Sequence, residues 1–343
     1  MTSDRLRFGL MTLPRSLEET RTIARETDAA GWDWLGIADS PVVYDDSYLH
    51  QAEALRTTSR LRVGPLVSHV VVRHPLVVGN LLATLADFGG GRTIGTLATG
   101  NSAARGLGLA PATVDELRQA VAAIRGYWAG EGGSFRTSTI PASGRVRTGC
   151  PLILAADGPR AAELAGEVGD GMLYGGTLDP SVLDRRVAAG KRRAGQTFWA
   201  APAVSLANTV DGVLADMGEM LVAQANRALR GTDLTERGVP ARLQREVEEL
   251  WRRYDYAFHA DSSRSGNAAL MSEELASYLV EHFVLWGDLD AWRRRLGDLR
   301  ARGCDGVLFI LGQATQTDVV RSVTARLQEL GELPTVARVA ETA

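Results

Sequence analysis

The feature that most constrains the fold of this chain is a regular alternation of short apolar segments with longer amphipathic ones. Each short segment has the length and aliphatic content of a strand, and the segment that follows it has the 3.6-residue spacing of a helix. Segments such as LILAA and VLFIL are apolar on both faces, as parallel strands covered by helices must be. Eight strands are predicted, at residues 7–13, 34–39, 61–70, 93–99, 151–156, 171–174, 198–208 and 306–311.

This repeat predicts an α/β fold in which the strands close into a (β/α)8 barrel, the TIM barrel. Short connections favour right-handed crossovers, and eight such units close most economically into a barrel. The repeat is interrupted between residues 209 and 286, where residues 217–229 and 243–256 have helical periodicity. We therefore predict a single domain over residues 1–343, with a mostly helical insertion between strands 7 and 8.

Composition and charge exclude several classes of function. The chain has 38 Lys and Arg against 41 Asp and Glu, so it offers no basic field for nucleic acid and no polybasic segment for a membrane. Its cysteines, Cys150 and Cys304, form no CxxC pair, and no Cys/His cluster has metal-ligand spacing. We expect no metal site, a reduced cytoplasmic protein and a small organic molecule as the substrate.

The carboxyl ends of barrel strands carry functional groups, so the strand prediction fixes which residues to inspect. The fourth strand ends in Gly100-Asn101-Ser102, whose small residues let the backbone approach a ligand. An ordinary strand-to-helix turn has the same composition.

A second glycine-rich stretch is AADGPRAAELAGEVGDGMLYGG, residues 155–176. Gly158 and Pro159 open a helix directly after a buried strand, and free N–H groups at such an end, with Arg160 beside them, suit a phosphate. The opposite wall would come from residues 175–177 at the end of the next strand. The alternative is a capped helix with no ligand.

Three stretches together resemble a known family: DAAGWDWLGIADS, VSHVVVRHPLVVGNLLATLADFGGGRTIGTLATGNSA and PLILAADGPRAAELAGEVGDGMLYGG. They are similar to the bacterial luciferase-like flavin oxidoreductase superfamily, and within it to the methylenetetrahydromethanopterin reductase-like group. The RHP, GGR and GDG triplets at residues 73–75, 90–92 and 169–171 are characteristic of that superfamily. The stretches RRYDYAFHA and NAALMSEELASYLVEHFVLWG also resemble the reductase-like group.

The resemblance implies a barrel that binds coenzyme F420, or alternatively FMN, at its carboxyl end, and it implies a homodimer. The cofactor ring would be backed by a strand bulge that often contains a non-prolyl cis peptide, here at Leu66–Val67. By position, the resemblance implies that the cofactor is bound by Asp39, Leu66, Val67, Ser68, Gly100, Asn101, Ser102, Ala156, Asp157, Gly158, Pro159, Arg160, Gly175, Gly176 and Thr177.

The chain also departs from the patterns of this superfamily. The glucose-6-phosphate dehydrogenase branch has a His and a Glu where this chain has Ser40 and Asn101. Many relatives have Thr-Asn-Pro where this chain has Ser68-His69-Val70, which brings an imidazole near the expected ring. His69 could exchange a proton with a substrate near neutral pH, although a hydrogen-bonded structural histidine is an equal alternative.

We predict an F420H2-dependent reductase that transfers a hydride to a C=C or C=N bond, with His69 as the proton donor and Asn101 as an orienting group. The alternative is an FMN-dependent monooxygenase supplied with reduced flavin by a separate reductase, and a barrel that binds a ligand without catalysis is a third possibility. Tyr44, Tyr254 and His259 are predicted to contact the substrate, although the spacing of Asp255 and His259 also fits a pair on a helix surface.

Overall fold

Parallel strands surrounded by helices form a barrel in the computed structural model, which describes residues 5–41, 43–100, 102–255, 266–311 and 316–335. The strands are β1 (Arg7–Thr12), β2 (Trp34–Ile37), β3 (Arg62–Pro65), β4 (Ser68–His69), β5 (Gly95–Ala98), β6 (Gly133–Phe135), β7 (Ser138–Ile140), β8 (Leu152–Ala155), β9 (Gly171–Tyr174), β10 (Thr197–Ala200), β11 (Ala203–Val204), β12 (Val284–Leu285) and β13 (Gly306–Phe309). The helices are α1 (Leu17–Ala30), α2 (Ser47–Thr57), α3 (Pro75–Phe88), α4 (Ser102–Arg105), α5 (Val114–Ala129), α6 (Pro159–Val168), α7 (Pro180–Gly190), α8 (Val210–Leu229), α9 (Ala241–Arg253), α10 (Glu273–Phe283), α11 (Leu289–Ala301) and α12 (Gln316–Glu329).

Nine strands pair in one sheet in the order β3-β2-β1-β13-β10-β9-β8-β5-β4. The end strands β3 and β4 are consecutive along the chain and occupy one barrel position, so the sheet supplies eight positions. A parallel bridge between Val63 of β3 and Thr93, just before β5, brings the two ends of the sheet together. The predicted (β/α)8 barrel is confirmed.

Two predicted strands are each divided in the structure. The strand predicted at residues 61–70 is divided into β3 and β4, and the one predicted at 198–208 is divided into β10 and β11. In a separate two-stranded sheet, β11 pairs with β12. Between β11 and β12 the described residues form α8, α9, a short 3-10 helix at Ala268–Leu270 and α10, which confirms the predicted helical insertion.

Three aspartates fix the register of the strands at the amino end of the barrel. Asp33, Asp170 and Asp305 each directly precede a strand, and each accepts a hydrogen bond from the first residues of a neighbouring strand, at 2.9, 2.8 and 2.8 Å. The N–H donors are those of Phe8, Leu152 and Phe198. A backbone donor at a strand end is thereby satisfied inside the protein.

Apolar side chains fill the barrel interior and the layer between sheet and helices. Trp34 and Trp199 are buried inside the barrel with their rings edge to face, at 5.1 Å between centroids. Of the helices that the structure describes, none combines the length and apolar character needed to cross a membrane.

Candidate active site

Most predicted site residues lie just beyond the carboxyl ends of the parallel strands. Asp39 follows β2, Gly100 follows β5, Asp157 follows β8 and Gly175 follows β9. Because these strands are parallel, their carboxyl ends lie on one face of the barrel. Asn101 and His259 lie outside the described residues, and Ser102 is the first residue of α4.

The interruption between β3 and β4 lies at the predicted bulge. The peptide bond between Leu66 and Val67 is cis, as the resemblance implied, and this prediction is confirmed. Both side chains pack on the apolar cluster inside the barrel. This packing makes them part of the floor beneath the strand ends.

A buried network joins the predicted residues Asp39 and Ser68. Asp39 accepts two hydrogen bonds from Arg73, at 2.7 and 2.8 Å, and one from the Ser68 hydroxyl at 2.5 Å. The Tyr48 hydroxyl lies 2.7 Å from the Ser68 hydroxyl, and burial raises the pKa of Tyr48. Arg73 also pairs with Asp46, the N-cap residue of α2, so the network connects the RHP motif to the start of that helix.

His69 lies next to this network but outside its hydrogen bonds. The residue is only 3% exposed, and neither ring nitrogen has a hydrogen-bond partner in the part of the chain that the structure describes. Gly100 approaches the ring so closely that a Cβ there would lie 3.4 Å from His69 Cγ. Burial lowers the pKa of His69, and the Asp39 carboxylate offsets part of this effect.

The surroundings of the His69 ring nitrogens bear on its two interpretations. Buried polar groups without partners are costly, and a structural histidine is normally hydrogen-bonded. Among the described residues His69 has no such bond, so its geometry favours a partner from a bound ligand.

The predicted phosphate site is built around the start of α6. Gly158 is the N-cap residue and Pro159 is the first helical residue, and no side chain in the described part of the chain caps this helix end. The Gly175 N–H donates to Asp157 Oδ1 at 2.9 Å, so the ends of β8 and β9 meet here as predicted. Gly176 and Thr177 follow, and a Cβ at Gly176 would lie 2.5 Å from the Tyr174 hydroxyl.

Three arginines that the sequence prediction missed surround this helix end. Arg227 of α8 pairs with the Asp157 carboxylate and donates to the Gly175 carbonyl at 2.9 Å. Arg186 of α7 and Arg237, which follows α8, both donate to the Asp157 carbonyl. Arg186 and Arg237 are 2% and 5% exposed, whereas the predicted Arg160 is exposed on the first turn of α6.

The predicted substrate residues are in different surroundings. Tyr44 is half-buried in the loop after β2, and burial raises the pKa of its hydroxyl. Tyr254 is 7% exposed and packs in the apolar core formed by the helices between β11 and β12. Their contacts with a substrate stay predictions. No metal-binding group of three or more His, Cys, Asp or Glu side chains occurs within the described ranges.

The sequence and the fold of this chain are both similar to those of known proteins. The sequence matches the model of a family described as luciferase-like monooxygenase over residues 2–306. It is 29% identical over 202 residues to the 5,10-methylenetetrahydromethanopterin reductase of Methanolobus tindarius, a match covering 55% of this chain and 60% of that relative. It is also 29% identical over 192 residues to the F420-dependent hydroxymycolic acid dehydrogenase of Mycobacterium tuberculosis, covering 50% and 53% of the two chains.

The sequence match therefore spans less than two thirds of the length of these curated relatives. The fold is similar over a longer range. The coenzyme F420 dependent tetrahydromethanopterin reductase from Methanopyrus kandleri superposes with a TM-score of 0.71 at 19% identity, covering 94% of this chain and 98% of that one.

Proposed function

The chain belongs to the luciferase-like monooxygenase family, and on that premise we propose that it is an F420-dependent oxidoreductase. It transfers a hydride from reduced F420 to a C=C or C=N bond of a small organic substrate. The observation that carries this proposal is His69, a buried imidazole at the carboxyl end of the barrel whose two nitrogens have no hydrogen-bond partner among the described residues. The F420-dependent relatives named above support the choice of cofactor.

The strand ends offer a cradle that fits a phosphate-bearing cofactor. Among the described residues, no side chain caps the start of α6, and a Cβ built on Gly158 would lie 3.3 Å from Arg237 Nη2. A phosphate there would accept hydrogen bonds from free helix N–H groups next to a guanidinium. The ring would then lie toward Leu66 and Val67.

When bound, the deazaflavin supplies the hydride chemistry. His69 holds the proton that the substrate gains, on one of its ring nitrogens, and delivers it to the atom that does not receive the hydride. Asp39, Arg73 and Ser68 hold β4 in place and so fix the position of the His69 backbone. The apolar floor at Leu66 and Val67 helps to exclude water from the reacting groups.

Direct titration tests the proposed function. Purified protein is titrated with F420 and, separately, with FMN, and binding is followed by absorbance and fluorescence quenching. We expect F420 to bind more tightly than FMN. Preferential binding of FMN would support a flavin monooxygenase instead, and binding of neither would overturn the cofactor assignment.

A pair of glycine variants tests the phosphate position. Gly158→Leu places a side chain over the start of α6 and should abolish cofactor binding while the fold is kept. Gly297→Leu is the matched control, because a Cβ at Gly297 on α11 meets no atom of the described residues within 4 Å. Unchanged F420 affinity in Gly158→Leu would remove the phosphate site from the start of α6.

A further inference from the structure

A carboxylate lies where an anion is expected to bind. Asp157 precedes the N-cap residue of α6, and its side chain is 16% exposed. Asp157 Oδ1 accepts the Gly175 N–H at 2.9 Å, and Oδ2 pairs with Arg227. The Asp157 carboxylate therefore already binds a backbone N–H and a guanidinium to which a phosphate could otherwise bind.

The charges around this carboxylate nearly cancel. The guanidinium groups of Arg186, Arg227 and Arg237 face the carboxylates of Asp157 and Glu236, and Glu236 pairs with both Arg186 and Arg237. One positive charge is left uncompensated within this group. Arg160 is exposed on α6, where water and salt screen its charge.

We propose that Asp157 is a specificity-determining residue that selects a cofactor with a phosphodiester over one with a phosphomonoester. This inference rests on the proposed function, because F420 carries a monoanionic phosphodiester, whereas FMN carries a monoester with a charge of about −1.5 to −2 at pH 7. A single uncompensated positive charge matches the diester. The additional charge of the monoester is repelled by the nearby Asp157 carboxylate in a partly buried site.

The alternative role for Asp157 is a mechanical brace between Gly175 and Arg227. Asp157→Asn keeps an amide oxygen that accepts the Gly175 N–H but removes both the negative charge and the pair with Arg227. Binding of a flavin without a phosphate therefore reports any loss of the brace, and the selectivity between phosphates reports the charge. Asp170→Asn is the matched control. Asp170 also accepts a strand N–H, from Leu152 at 2.8 Å, and pairs with Arg125, but it lies at the opposite end of the barrel.

The experiment measures dissociation constants for F420, FMN and riboflavin, by fluorescence quenching, in the wild type and both variants. We expect Asp157→Asn to tighten FMN binding about tenfold and F420 binding by clearly less, because removing one unit charge beside a partly exposed anion changes affinity on the order of tenfold. Riboflavin, which has no phosphate, should bind equally to wild type and Asp157→Asn. Asp170→Asn should change none of the three constants.

The ratio of the FMN and F420 constants tests the selectivity separately from the proposed function. Wild-type protein that fails to bind F420 overturns the proposed function. An FMN-to-F420 ratio that is the same in Asp157→Asn and wild type, or weaker FMN binding in the variant, overturns the selectivity role. If circular dichroism shows that Asp157→Asn does not fold, Glu236→Gln is used in its place, because it removes the second carboxylate of the group. Glu236→Gln should shift the FMN-to-F420 ratio in the same direction by a smaller factor. An unshifted ratio in that variant counts against the selectivity role.

Discussion

The two ends of the barrel differ in what their charged side chains do. At the amino end, Asp33, Asp170 and Asp305 each accept a strand N–H, and the Arg125–Asp170 pair is 39% and 46% exposed. At the carboxyl end, the side chains of Asp39 and Arg73 are only 1% and 14% exposed. Exposed pairs add little stability, whereas buried charges are costly unless their partners are in place.

This difference fits the proposed function, in which the amino end maintains the sheet and the carboxyl end carries the chemistry. The acidic groups of the amino end have partners in the backbone and in solvent-exposed cations. At the carboxyl end, His69 is buried without a hydrogen-bond partner among the described residues. Because a buried polar group normally has a partner, we propose that His69 meets a bound ligand.

The largest expected effect is on turnover. His69→Asn should lower turnover about 10²–10⁴-fold, the range for loss of a general acid, while the dissociation constant of F420 stays nearly unchanged. Steady-state kinetics and cofactor titration on the same preparation give both values.

His50→Asn is the matched control for this prediction, because His50 is 2% exposed but its Nδ1 is bonded to the Thr20 hydroxyl at 2.7 Å. The control should lose stability and keep its turnover per folded molecule. Full activity in His69→Asn would show that another group or solvent supplies the proton.

The second prediction compares ion pairs at the two ends. Arg73→Met leaves the Asp39 carboxylate buried without its cation and should lower the free energy of unfolding by about 3–5 kcal/mol. Arg125→Met breaks the exposed pair with Asp170 and should cost about 0–1 kcal/mol. Urea denaturation of both variants measures the two losses, and similar values would contradict the proposed difference between the ends.

The barrel could be predicted from the sequence because its signal is local. Strand and helix periodicity are read within a dozen residues, and the cis peptide followed from the resemblance around Leu66 and Val67. The register at the amino end also has a local signal that the prediction did not use: glycine precedes the aspartate in Gly31-Trp32-Asp33, Gly169-Asp170 and Gly303-Cys304-Asp305.

The surroundings of the proposed phosphate site could not be predicted in the same way. Arg227 and Arg237 reach Asp157 from 70 and 80 residues along the chain, and no local motif connects them. Arg160 is predicted there because it lies two residues after Gly158, but on the first turn of α6 its side chain is exposed. Two of the polar side chains near this site are close together in sequence. Gln224 and Arg227 of α8 are three residues apart, and both donate to the Gly175 carbonyl.

The third prediction concerns the pH dependence of turnover. Burial lowers the pKa of His69 below its ordinary value of 6.5. Reduction of the substrate requires the protonated ring, so its rate should fall about tenfold per pH unit as pH rises above that lowered pKa. Oxidation of the product requires the neutral ring, so its rate should fall as pH drops below that pKa and should be level above it. A rate that changes only well above pH 6.5 would exclude His69 as the proton donor.

The smallest expected effect is on the pH dependence of stability. Since the pKa of His69 is lower in the folded state than the ordinary value of 6.5, the unfolded chain binds more protons in the interval between the two values. The free energy of unfolding should therefore fall as pH is lowered from 6.5 toward the folded-state pKa, by at most about 1.4 kcal/mol per pH unit for this residue. Above pH 6.5 both states hold a neutral ring, and this contribution is fully present. His69→Asn should show a shallower decline than wild type in urea denaturation at pH 7.5, 6.5 and 5.5, and an equal or steeper decline would mean that His69 is not the buried, neutral group at the carboxyl end.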